Sequence, residues 1–419
     1  EVFGDSSKIK KLSDDPLEYN LVKCRILVNS LKKYVNPRTF ASLKPTEANK
    51  RAYGLLKRHK VSMPLRPIVS SINSLVEGCE KFLFKILKPL EELCTFSISS
   101  TKEFKTNFLN DRKKFDPKTC EVICCDAQSL YTYTNIKKTV TFIIDTIYSD
   151  PKKYFDEGTI ENNGQTKNIP FPPKRTFRKF LMDILTKYNC FSSVNGFYQQ
   201  LDGLSMGSKL SPLISNIYCN LMEQEIVTKW VDKKIILSYQ RYVDDIFICI
   251  KKGHVETLLR EMNSFDKNYS QFTIDKMVNN TLNYLDTQIF VDDKGIFQFR
   301  KYRKPTASDF LVDYHCSVTP KKYKISTLQG EIHRCNHTNS TNFELEIALQ
   351  NLKKQFLLNN YPKRLIEEHI EEIKSRNFAP RSDRVEHERE IRDNPDRHYS
   401  ISLPFTSSRC EKIQSKIKK

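Results

Sequence analysis

Three aspartates in this sequence interrupt apolar runs. Asp126 comes near the end of EVICCDA, and Asp244 and Asp245 lie inside SYQRYVDDIFICI. Charges beside bulky apolar groups carry a desolvation cost, and carboxylate oxygens are the ligands that Mg²⁺ prefers. Nucleotidyl transfer needs two divalent ions roughly 3.5–4 Å apart, one to activate a hydroxyl and one to neutralise a triphosphate. The three aspartates are therefore candidate ligands for such a pair of ions.

The residues around these aspartates predict β-strands. EVICCDA predicts a buried strand with its carboxylate where the chain leaves the core. The β-branched and aromatic residues on both sides of Asp244–Asp245 predict two strands joined by a tight turn, with the acidic pair at the tip. Two other acidic pairs, Asp14–Asp15 and Asp292–Asp293, lie in polar or turn sequence. A plain surface turn is the alternative for Asp244–Asp245.

The composition favours a large protein with a polyanionic partner. The 419 residues exceed what one hydrophobic core usually supports, so we expect two or three subdomains. Lys and Arg outnumber Asp and Glu by 69 to 50, a net charge of +19, and they are spread along the chain. This distribution is typical of a groove that follows nucleic acid, and a merely basic protein is the alternative. Because no run of about 18 apolar residues occurs, we expect no membrane span.

The cysteines and histidines offer one alternative metal site. None of the 12 cysteines forms a Cys-x-x-Cys pair and several lie in apolar runs, so we expect reduced core thiols in an intracellular protein. His333, Cys335 and His337 are closely spaced but lack a fourth zinc ligand nearby. A polar stretch without metal is the favoured interpretation of this segment.

Apolar spacing and breakers predict the remaining elements. Prolines within residues 50–70 exclude a helix, and this segment predicts an extended basic loop followed by a strand. The Pro, Gly and Asn residues of 150–175 predict a surface loop. A Gly-containing turn before Ser208 is expected to lead into a long helix over SPLISNIYCNLMEQEIVTKW. Further helices are predicted over 17–34, within 71–93, over about 176–189, and after Thr341 and Pro362.

Together these motifs resemble a known family. RYVDDIF resembles motif C of reverse transcriptases, and CCDAQSLY resembles motif A. MGSKLSPLISNIYCNLMEQE is similar to motif B of the Penelope-like retroelements, in which Met206 stands where most reverse transcriptases carry Gln. YGLLKRHK with PLRPIVS, YLDTQIF with KYRKPT, and FLLNNYP support this branch, and SLPFTSSRCEKI resembles its connector. The main resemblance covers roughly residues 50–375.

The resemblance implies an α+β right-hand polymerase with fingers, a palm built on an antiparallel sheet, and a helical thumb. It implies an RNA-directed DNA polymerase of a retroelement, which extends a DNA primer on an RNA template with deoxynucleoside triphosphates. Two Mg²⁺ ions are implied as cofactors, for which Mn²⁺ can substitute, and the nucleus is the expected place of action. The expected segments are a basic extension (1–50), fingers (51–120), palm with motifs A, B and C (121–300), primer grip and thumb (301–375), and a charged linker with the start of the connector (376–419).

The resemblance also assigns roles to individual residues. Asp126 and Asp244 are implied as the main metal ligands, with Asp245 completing the acidic site and Ala127 adding a backbone carbonyl. Tyr131 falls where reverse transcriptases carry an aromatic steric gate against the ribose 2′-hydroxyl, and a packing aromatic is the alternative. Implied nucleotide contacts are Arg66, Lys57, Met206, Gly207 and Ser208, and implied nucleic-acid contacts are Lys60, Tyr242, Lys301, Arg303 and Lys304.

Departures from the family pattern leave alternatives open. Motif A usually continues from Leu-Tyr as Thr-Asn-Ile, whereas Thr132 and Tyr133 are inserted in this chain, and Lys209 replaces a proline common in motif B. The insertion keeps open a decayed or domesticated copy that binds nucleic acid without polymerising. An RNA-dependent RNA polymerase is a further alternative, which Tyr131 disfavours. Most family members also carry a GIY-YIG nicking endonuclease, and we expect none within these residues.

Overall fold

The structure is a computed structural model of the chain, and it describes residues 8–56, 63, 65–155, 158–162, 165–269 and 271–377. Its fold is α+β with mainly antiparallel sheets, which confirms the predicted class. The chain divides into two compact units, Glu1–Ser99 with Lys118–Lys276 and Ser100–Pro117 with Met277–Lys419. The expected division into fingers, palm and thumb stays a prediction.

Strands and helices are interspersed along the described residues. The strands are β1 (Ile9–Lys11), β2 (Lys50–Leu56), β3 (Leu65–Ser70), β4 (Cys120–Ala127), β5 (Thr159–Asn162), β6 (Gln165–Asn168), β7 (Cys190–Ser193), β8 (Gly196–Gln200), β9 (Ile236–Tyr242), β10 (Asp245–Lys251), β11 (Phe272–Lys276), β12 (Thr281–Tyr284), β13 (Thr287–Val291) and β14 (Phe297–Lys301). The α-helices are α1 (Leu17–Asn29), α2 (Pro37–Ser42), α3 (Glu77–Leu87), α4 (Thr101–Asp111), α5 (Ile136–Ser149), α6 (Pro151–Tyr154), α7 (Lys174–Thr186), α8 (Ser211–Met222), α9 (Thr228–Asp232), α10 (Val255–Ser264), α11 (Lys321–His337), α12 (Asn342–Leu358) and α13 (Lys363–Asn377).

The first unit is built around a four-stranded antiparallel sheet with the order β11-β4-β10-β9. β4 and β10 are buried at almost every position, as their nearly continuous apolar sequences require. One core joins this sheet to α8, α9 and α10 through buried side chains such as Ile248, Met222 and Leu258. The predicted long helix is present, but a π-helical segment, Glu223–Val227, separates α8 from α9. Such π segments are often found at functional sites.

A second sheet of the same unit has the order β1-β8-β7-β2-β3. The predicted strand within residues 50–70 is present as β3, but the predicted loop before it is wrong at Lys50–Leu56, which form β2 and pair with β3 in antiparallel fashion. Pro67 is tolerated within β3 because β3 lies at the edge of the sheet, where a missing N–H breaks no ladder. Residues 150–175 likewise contain α6 and the β5–β6 pair rather than only a loop.

The second unit combines the sheet β12-β13-β14 with α4, α11, α12 and α13. Phe104 and Phe108 of α4 pack against Phe299 of β14, with ring centroids 5.9 and 5.3 Å apart. The three later helices share a core of buried residues that includes Leu328, Leu349 and Ile366. The helices predicted after Thr341 and Pro362 are therefore present.

His333, Cys335 and His337 lie on the helix α11. Residues two apart on a helix are rotated by roughly 200°, so Cys335 cannot share a face with the two histidines. Cys335 is fully buried and lies 3.6 Å from the Lys301 Nζ. The segment therefore has the packing of a helix and not the geometry of a zinc site. None of the described helices has the length and apolarity needed to cross a membrane.

Candidate active site

The two strands that carry the predicted carboxylates are direct neighbours. In the antiparallel pair of β4 and β10, Asp126 is the register partner of Asp245. Residues directly opposite in such a pair project from the same face, with their Cβ atoms about 4.5–5.5 Å apart. Both aspartates are exposed, whereas Cys125 and Ile246 beside them are buried. The apolar sheet thus ends in a pair of adjacent carboxylates.

Asp244 lies in the two-residue turn between β9 and β10, where Asp245 pairs with Tyr242. The tip is therefore Val243–Asp244, one residue earlier than the sequence suggested, and Asp245 already belongs to β10. The carbonyl of Asp244 accepts a hydrogen bond of 3.2 Å from the Ala127 N–H, which joins the turn to the end of β4. This main-chain bond keeps all three aspartates at one end of the sheet.

Val243 has a strained backbone. Its φ is +57°, a left-handed value that β-branched residues rarely adopt. Hairpin turns with a positive φ at the first central position usually carry Gly there. Strain of this kind is of order 1–3 kcal/mol and persists only where surrounding contacts enforce it. The turn that presents Asp244 is therefore held in place by its neighbours.

The chemistry of this group fits hard divalent cations. Its donors are the carboxylate oxygens of Asp126, Asp244 and Asp245, with the Ala127 carbonyl nearby in sequence, and Mg²⁺ takes oxygen ligands. Burial raises the pKa of the neighbouring Cys125 thiol to about 12, so this residue stays protonated and does not compete as a thiolate. Within the described residues, no three His, Cys, Asp or Glu side chains already surround a common ion position. The carboxylates are therefore collected at one edge but not closed around an ion.

Four further predicted residues line one cavity of about 400 Å³: Tyr131, Met206, Gly207 and Ser208. The pKa of Tyr131 is raised, first by burial and then by the negative charge of Asp244, while Arg66 acts in the opposite direction. Tyr131 is thus close enough to the acidic group to feel its charge. Motifs A and B therefore meet at this cavity.

Gly207 can be only glycine in this backbone. Its φ is +122°, and an added Cβ would lie 2.7 Å from the carbonyl oxygen of Val69 and 2.9 Å from its carbon. The preceding residue, Met206, accepts a hydrogen bond of 2.6 Å from the Val69 N–H. The motif B loop (residues 203–210) is therefore pressed against β3 by main-chain contact.

The other predicted contacts of the first unit are placed as follows. Arg66 is exposed on β3 opposite Leu55 of β2. Tyr242 is 37% exposed at the end of β9. Lys57 and Lys60 lie outside the described residues.

Lys301, Arg303 and Lys304 belong to the second unit. Lys301 forms an ion pair of 2.9 Å with Glu331, and Arg303 forms one of 2.6 Å with Asp309. Lys304 is exposed. Two of the three cations are therefore already paired with carboxylates, and their contact with nucleic acid stays a prediction.

The inserted residues of motif A have defined partners. The Lys8 ammonium donates a 2.8 Å hydrogen bond to the Thr132 carbonyl and lies 3.6 Å from the centre of the Tyr133 ring. A side chain at Gly203, whose φ is +72°, would overlap the same carbonyl. The Tyr131 carbonyl still accepts a 2.7 Å bond from the Leu204 N–H. The insertion is thus accommodated between the N-terminal segment and the motif B loop.

Sequence reasoning missed a buried polar group beside the turn that carries Asp244. Arg241 and Glu223 have no exposed surface and form a bidentate ion pair of 2.6 and 3.0 Å. Asn216 also accepts from Arg241, at 2.7 Å. The available signal was one arginine in an otherwise uncharged strand, ILSYQRY.

Comparisons with known proteins were made for the sequence and for the fold. The family described as "Reverse transcriptase (RNA-dependent DNA polymerase)" matches residues 58–277, more than half of the chain. The family described as "Animal helix-turn-helix domain" matches residues 315–371, which include α11 and α12 and most of α13. No curated protein matches the sequence.

Solved structures with similar folds include viral and cellular polymerases. Telomerase from Candida albicans with a fragment of telomeric RNA has a TM-score of 0.49 and 11% identity, covering 84% of this chain and 61% of that one. Apo telomerase from Candida tropicalis has a TM-score of 0.46 and 14% identity, covering 88% and 65%. The Sicinivirus 3Dpol RNA-dependent RNA polymerase has a TM-score of 0.45 and 11% identity, covering 80% and 70%. The chain thus spans about six tenths of the telomerase chains.

The family match includes all the strands that carry the acidic group and the whole motif B loop. It agrees with the α+β fold and with the antiparallel sheet that ends in Asp126 and Asp245. The predicted fold class, a right-hand polymerase, is therefore confirmed, and the matched family is one of nucleotidyltransferases, the predicted enzyme class. This chain belongs to the reverse transcriptase family of RNA-dependent DNA polymerases.

Proposed function

We propose that this chain is the RNA-directed DNA polymerase of a retroelement and that it extends a DNA primer on an RNA template by two-metal nucleotidyl transfer. The observation that carries the proposal is the register of β4 and β10, which sets Asp126 opposite Asp245, with Asp244 in the adjoining turn. Three carboxylates gathered at one end of a sheet repel one another, and positive charge bound among them relieves that repulsion. Divalent cations supply that charge.

In this proposal Asp126 and Asp244 are the main ligands of two Mg²⁺ ions, Asp245 completes the acidic group, and the Ala127 carbonyl adds an oxygen. Mn²⁺ can substitute for Mg²⁺. When bound, the two ions would favour ionisation of the primer 3′-hydroxyl and would neutralise the triphosphate. The protein contributes by holding these oxygens on rigid strand ends, so that little reorganisation is needed during reaction.

The cavity beside the carboxylates is proposed to take the incoming nucleotide. Tyr131 lines it, and the charge of Asp244 acts on this side chain, so its ring is proposed to exclude a ribose 2′-hydroxyl. Gly207, whose missing side chain lets the motif B loop lie against β3, also lines the cavity and is proposed to contact the nucleotide through its main chain. Triphosphate contacts are proposed for Arg66 and Lys57, further nucleotide contacts for Met206 and Ser208, and contacts with template and primer for Lys60, Tyr242, Lys301, Arg303 and Lys304.

The finer assignment to the Penelope-like branch is also part of the proposal. It is supported by Met206 at the position where most reverse transcriptases carry Gln, and by the motif order from YGLLKRHK to FLLNNYP. A retroelement polymerase of this branch is proposed to act in the nucleus.

The test is extension of a labelled DNA primer on an RNA template with deoxynucleotides and Mg²⁺, or with Mn²⁺ in its place. Asp244→Asn should lower the extension rate by on the order of 10³-fold, because metal-held charge is worth several kcal/mol. Binding of the duplex should persist. Asp293→Asn is the matched control, since it removes an exposed carboxylate from another hairpin turn, between β13 and β14.

Each alternative gives a different result. Salt-sensitive RNA binding with no extension by the unmodified chain would identify a decayed or domesticated binding protein. Extension with ribonucleotides at a rate comparable to that with deoxynucleotides would identify an RNA polymerase. Equal activity of Asp244→Asn and Asp293→Asn would refute the assignment of the acidic site.

A further inference from the structure

Arg241 uses its entire guanidinium group beside the turn that carries Asp244. Its Nε and one terminal nitrogen bind the two Glu223 carboxylate oxygens, at 2.6 and 3.0 Å. The other terminal nitrogen donates to the Asn216 side-chain oxygen at 2.7 Å and to the Val243 carbonyl at 3.3 Å. A longer contact of 3.5 Å reaches the Asn216 carbonyl. All five N–H donors of the group therefore have acceptors.

These acceptors come from two parts of the chain that the fold brings together. Asn216 lies on α8, and Glu223 begins the π-helical segment that follows it. Val243 is the first residue of the turn. One planar cation thus connects the helix that follows the motif B loop to the turn between β9 and β10. A lysine could not do this, because a single ammonium cannot span acceptors on both sides of a planar fork.

Stability alone is a weak reason for this arrangement. Removing two charges from water is costly, and apolar residues of similar volume often replace buried ion pairs without loss of stability. Arg241 and Glu223 are both fully buried. What an apolar pair could not provide is the hydrogen bond to the Val243 carbonyl.

That carbonyl belongs to the strained residue. Val243 holds a φ of +57°, and hairpin turns of this form normally rely on Gly at this position. The turn is held by the Arg241 bond on the Val243 carbonyl and by the Ala127 bond on the Asp244 carbonyl. The main chain of Arg241 is itself fixed, donating to the Phe96 carbonyl at 2.9 Å and accepting from the Ile98 N–H at 2.8 Å.

We propose that Arg241 is a positioning residue for polymerisation, which fixes the strained Val243–Asp244 turn and couples it through Glu223 and Asn216 to the helix that follows motif B. This inference rests on the proposed polymerase function. Arg241 touches neither nucleotide nor metal in this proposal. Its effect is on the direction in which Asp244 presents its carboxylate.

The main test replaces the ion pair with apolar residues. Arg241→Met combined with Glu223→Leu is expected to keep the melting temperature near that of the unmodified chain. We expect kcat for primer extension to fall between about tenfold and a hundredfold, since small misplacements of catalytic groups have effects of that size. The KM for deoxynucleotide should change less than about threefold, because the cavity at Tyr131 is untouched, whereas the Mg²⁺ concentration for half-maximal rate should rise. Arg241→Lys, which keeps the charge pair, is the second variant and should lose kcat in the same direction.

Val243→Gly distinguishes a positioning role of Arg241 from a role in stability alone. Because Gly adopts the turn without strain, adding Val243→Gly to either variant should restore kcat severalfold. Leu328→Ala on α11 is the stability control, since it opens the core of the second unit, which contains none of the residues proposed to bind metal or nucleotide, and it should lower the melting temperature without changing kcat.

The outcomes distinguish failure of the positioning role from failure of the polymerase function. Unchanged kcat in a folded Arg241 variant would overturn the inference, and so would a loss of kcat that Val243→Gly does not relieve. If the unmodified chain extends no primer, or Asp244→Asn extends as well as the unmodified chain, the polymerase function fails and the inference fails with it. Reduced kcat with an increased Mg²⁺ requirement, relieved by Val243→Gly, would support it.

Discussion

Gly207→Ala tests whether the motif B loop must touch β3. The added Cβ would lie 2.7 Å from the carbonyl oxygen of Val69, closer than Cβ atoms approach in real proteins. The backbone at Gly207 also has a φ of +122°, which an alanine tolerates poorly. The loop must therefore move away from β3, and the 2.6 Å bond from Val69 to Met206 must lengthen.

Gly253→Ala separates the two effects. Gly253 also has a positive φ, +84°, but an added Cβ there would meet no atom within 4 Å. Both variants should suffer backbone strain of about 1–3 kcal/mol. Gly207→Ala should suffer a further overlap of about 1–3 kcal/mol. At roughly 2–4 °C for each kcal/mol, its melting temperature should fall roughly 2–12 °C more than that of Gly253→Ala.

The assay combines thermal unfolding with steady-state primer extension. Gly207→Ala should raise the KM for deoxynucleotide by about tenfold, because a moved loop reshapes the cavity beside Tyr131. Gly253→Ala should leave this KM unchanged. Equal losses of melting temperature in the two variants, with an unchanged KM in both, would refute the close contact and its link to the nucleotide site.

Three further predictions concern other parts of the chain. Tyr131→Ala should reduce discrimination against ribonucleotides by roughly 10- to 100-fold in competitive extension, whereas Tyr133→Ala should not; equal effects would refute the gate. Burial and the charges of Lys102 and Lys105 lower the pKa of His337 from 6.5 to about 4, so the unfolded chain takes up a proton that the folded unit does not. The free energy of unfolding should therefore fall as the pH drops from 6.5 to about 4. Thermal scans of His337→Asn should lose this part of the pH dependence, and an unchanged pH dependence would refute the lowered pKa. Lys105→Met should destabilise the second unit by about 1.5–3 kcal/mol, because the Lys105 ammonium donates to the Asn336 and Asn339 carbonyls at 2.6 and 2.7 Å near the end of α11. Lys102→Met is the control, and because Lys102 is exposed this substitution should not destabilise the unit.

Local sequence patterns predicted much of the fold. β4 and the β9–β10 hairpin follow from apolar and β-branched runs, whose signal lies within a few residues. β2 was missed because its residues were interpreted as part of an extended basic loop, and its pairing with β3 and β7 depends on segments that lie apart in the sequence. The π-helical segment Glu223–Val227 was also missed, since its apolar spacing resembles that of an uninterrupted helix.

The acidic residues were predictable, but their pairing was not. Sequence spacing identified Asp126, Asp244 and Asp245, and the family resemblance ordered them. The register depends on the turn, and because the turn takes Val243 and Asp244, it is Asp245 that faces Asp126. Arg241 escaped notice because its partner Glu223 lies 18 residues earlier in the chain. A single charge in a strand does not reveal whether it is solvated or paired.

Main-chain hydrogen bonds explain why separate motifs form one site. The Ala127 N–H binds the Asp244 carbonyl at 3.2 Å, the Leu204 N–H binds the Tyr131 carbonyl at 2.7 Å, and the Val69 N–H binds the Met206 carbonyl at 2.6 Å. These bonds join motif A to motif C, motif B to motif A, and β3 to motif B. These bonds join main-chain atoms and do not depend on side-chain identity, so they cannot be predicted from a pattern of residue types. The same independence means that the carboxylates can be replaced while the scaffold persists. Loss of activity in Asp244→Asn should therefore occur in a folded protein, whereas substitutions at Gly207 alter the scaffold itself.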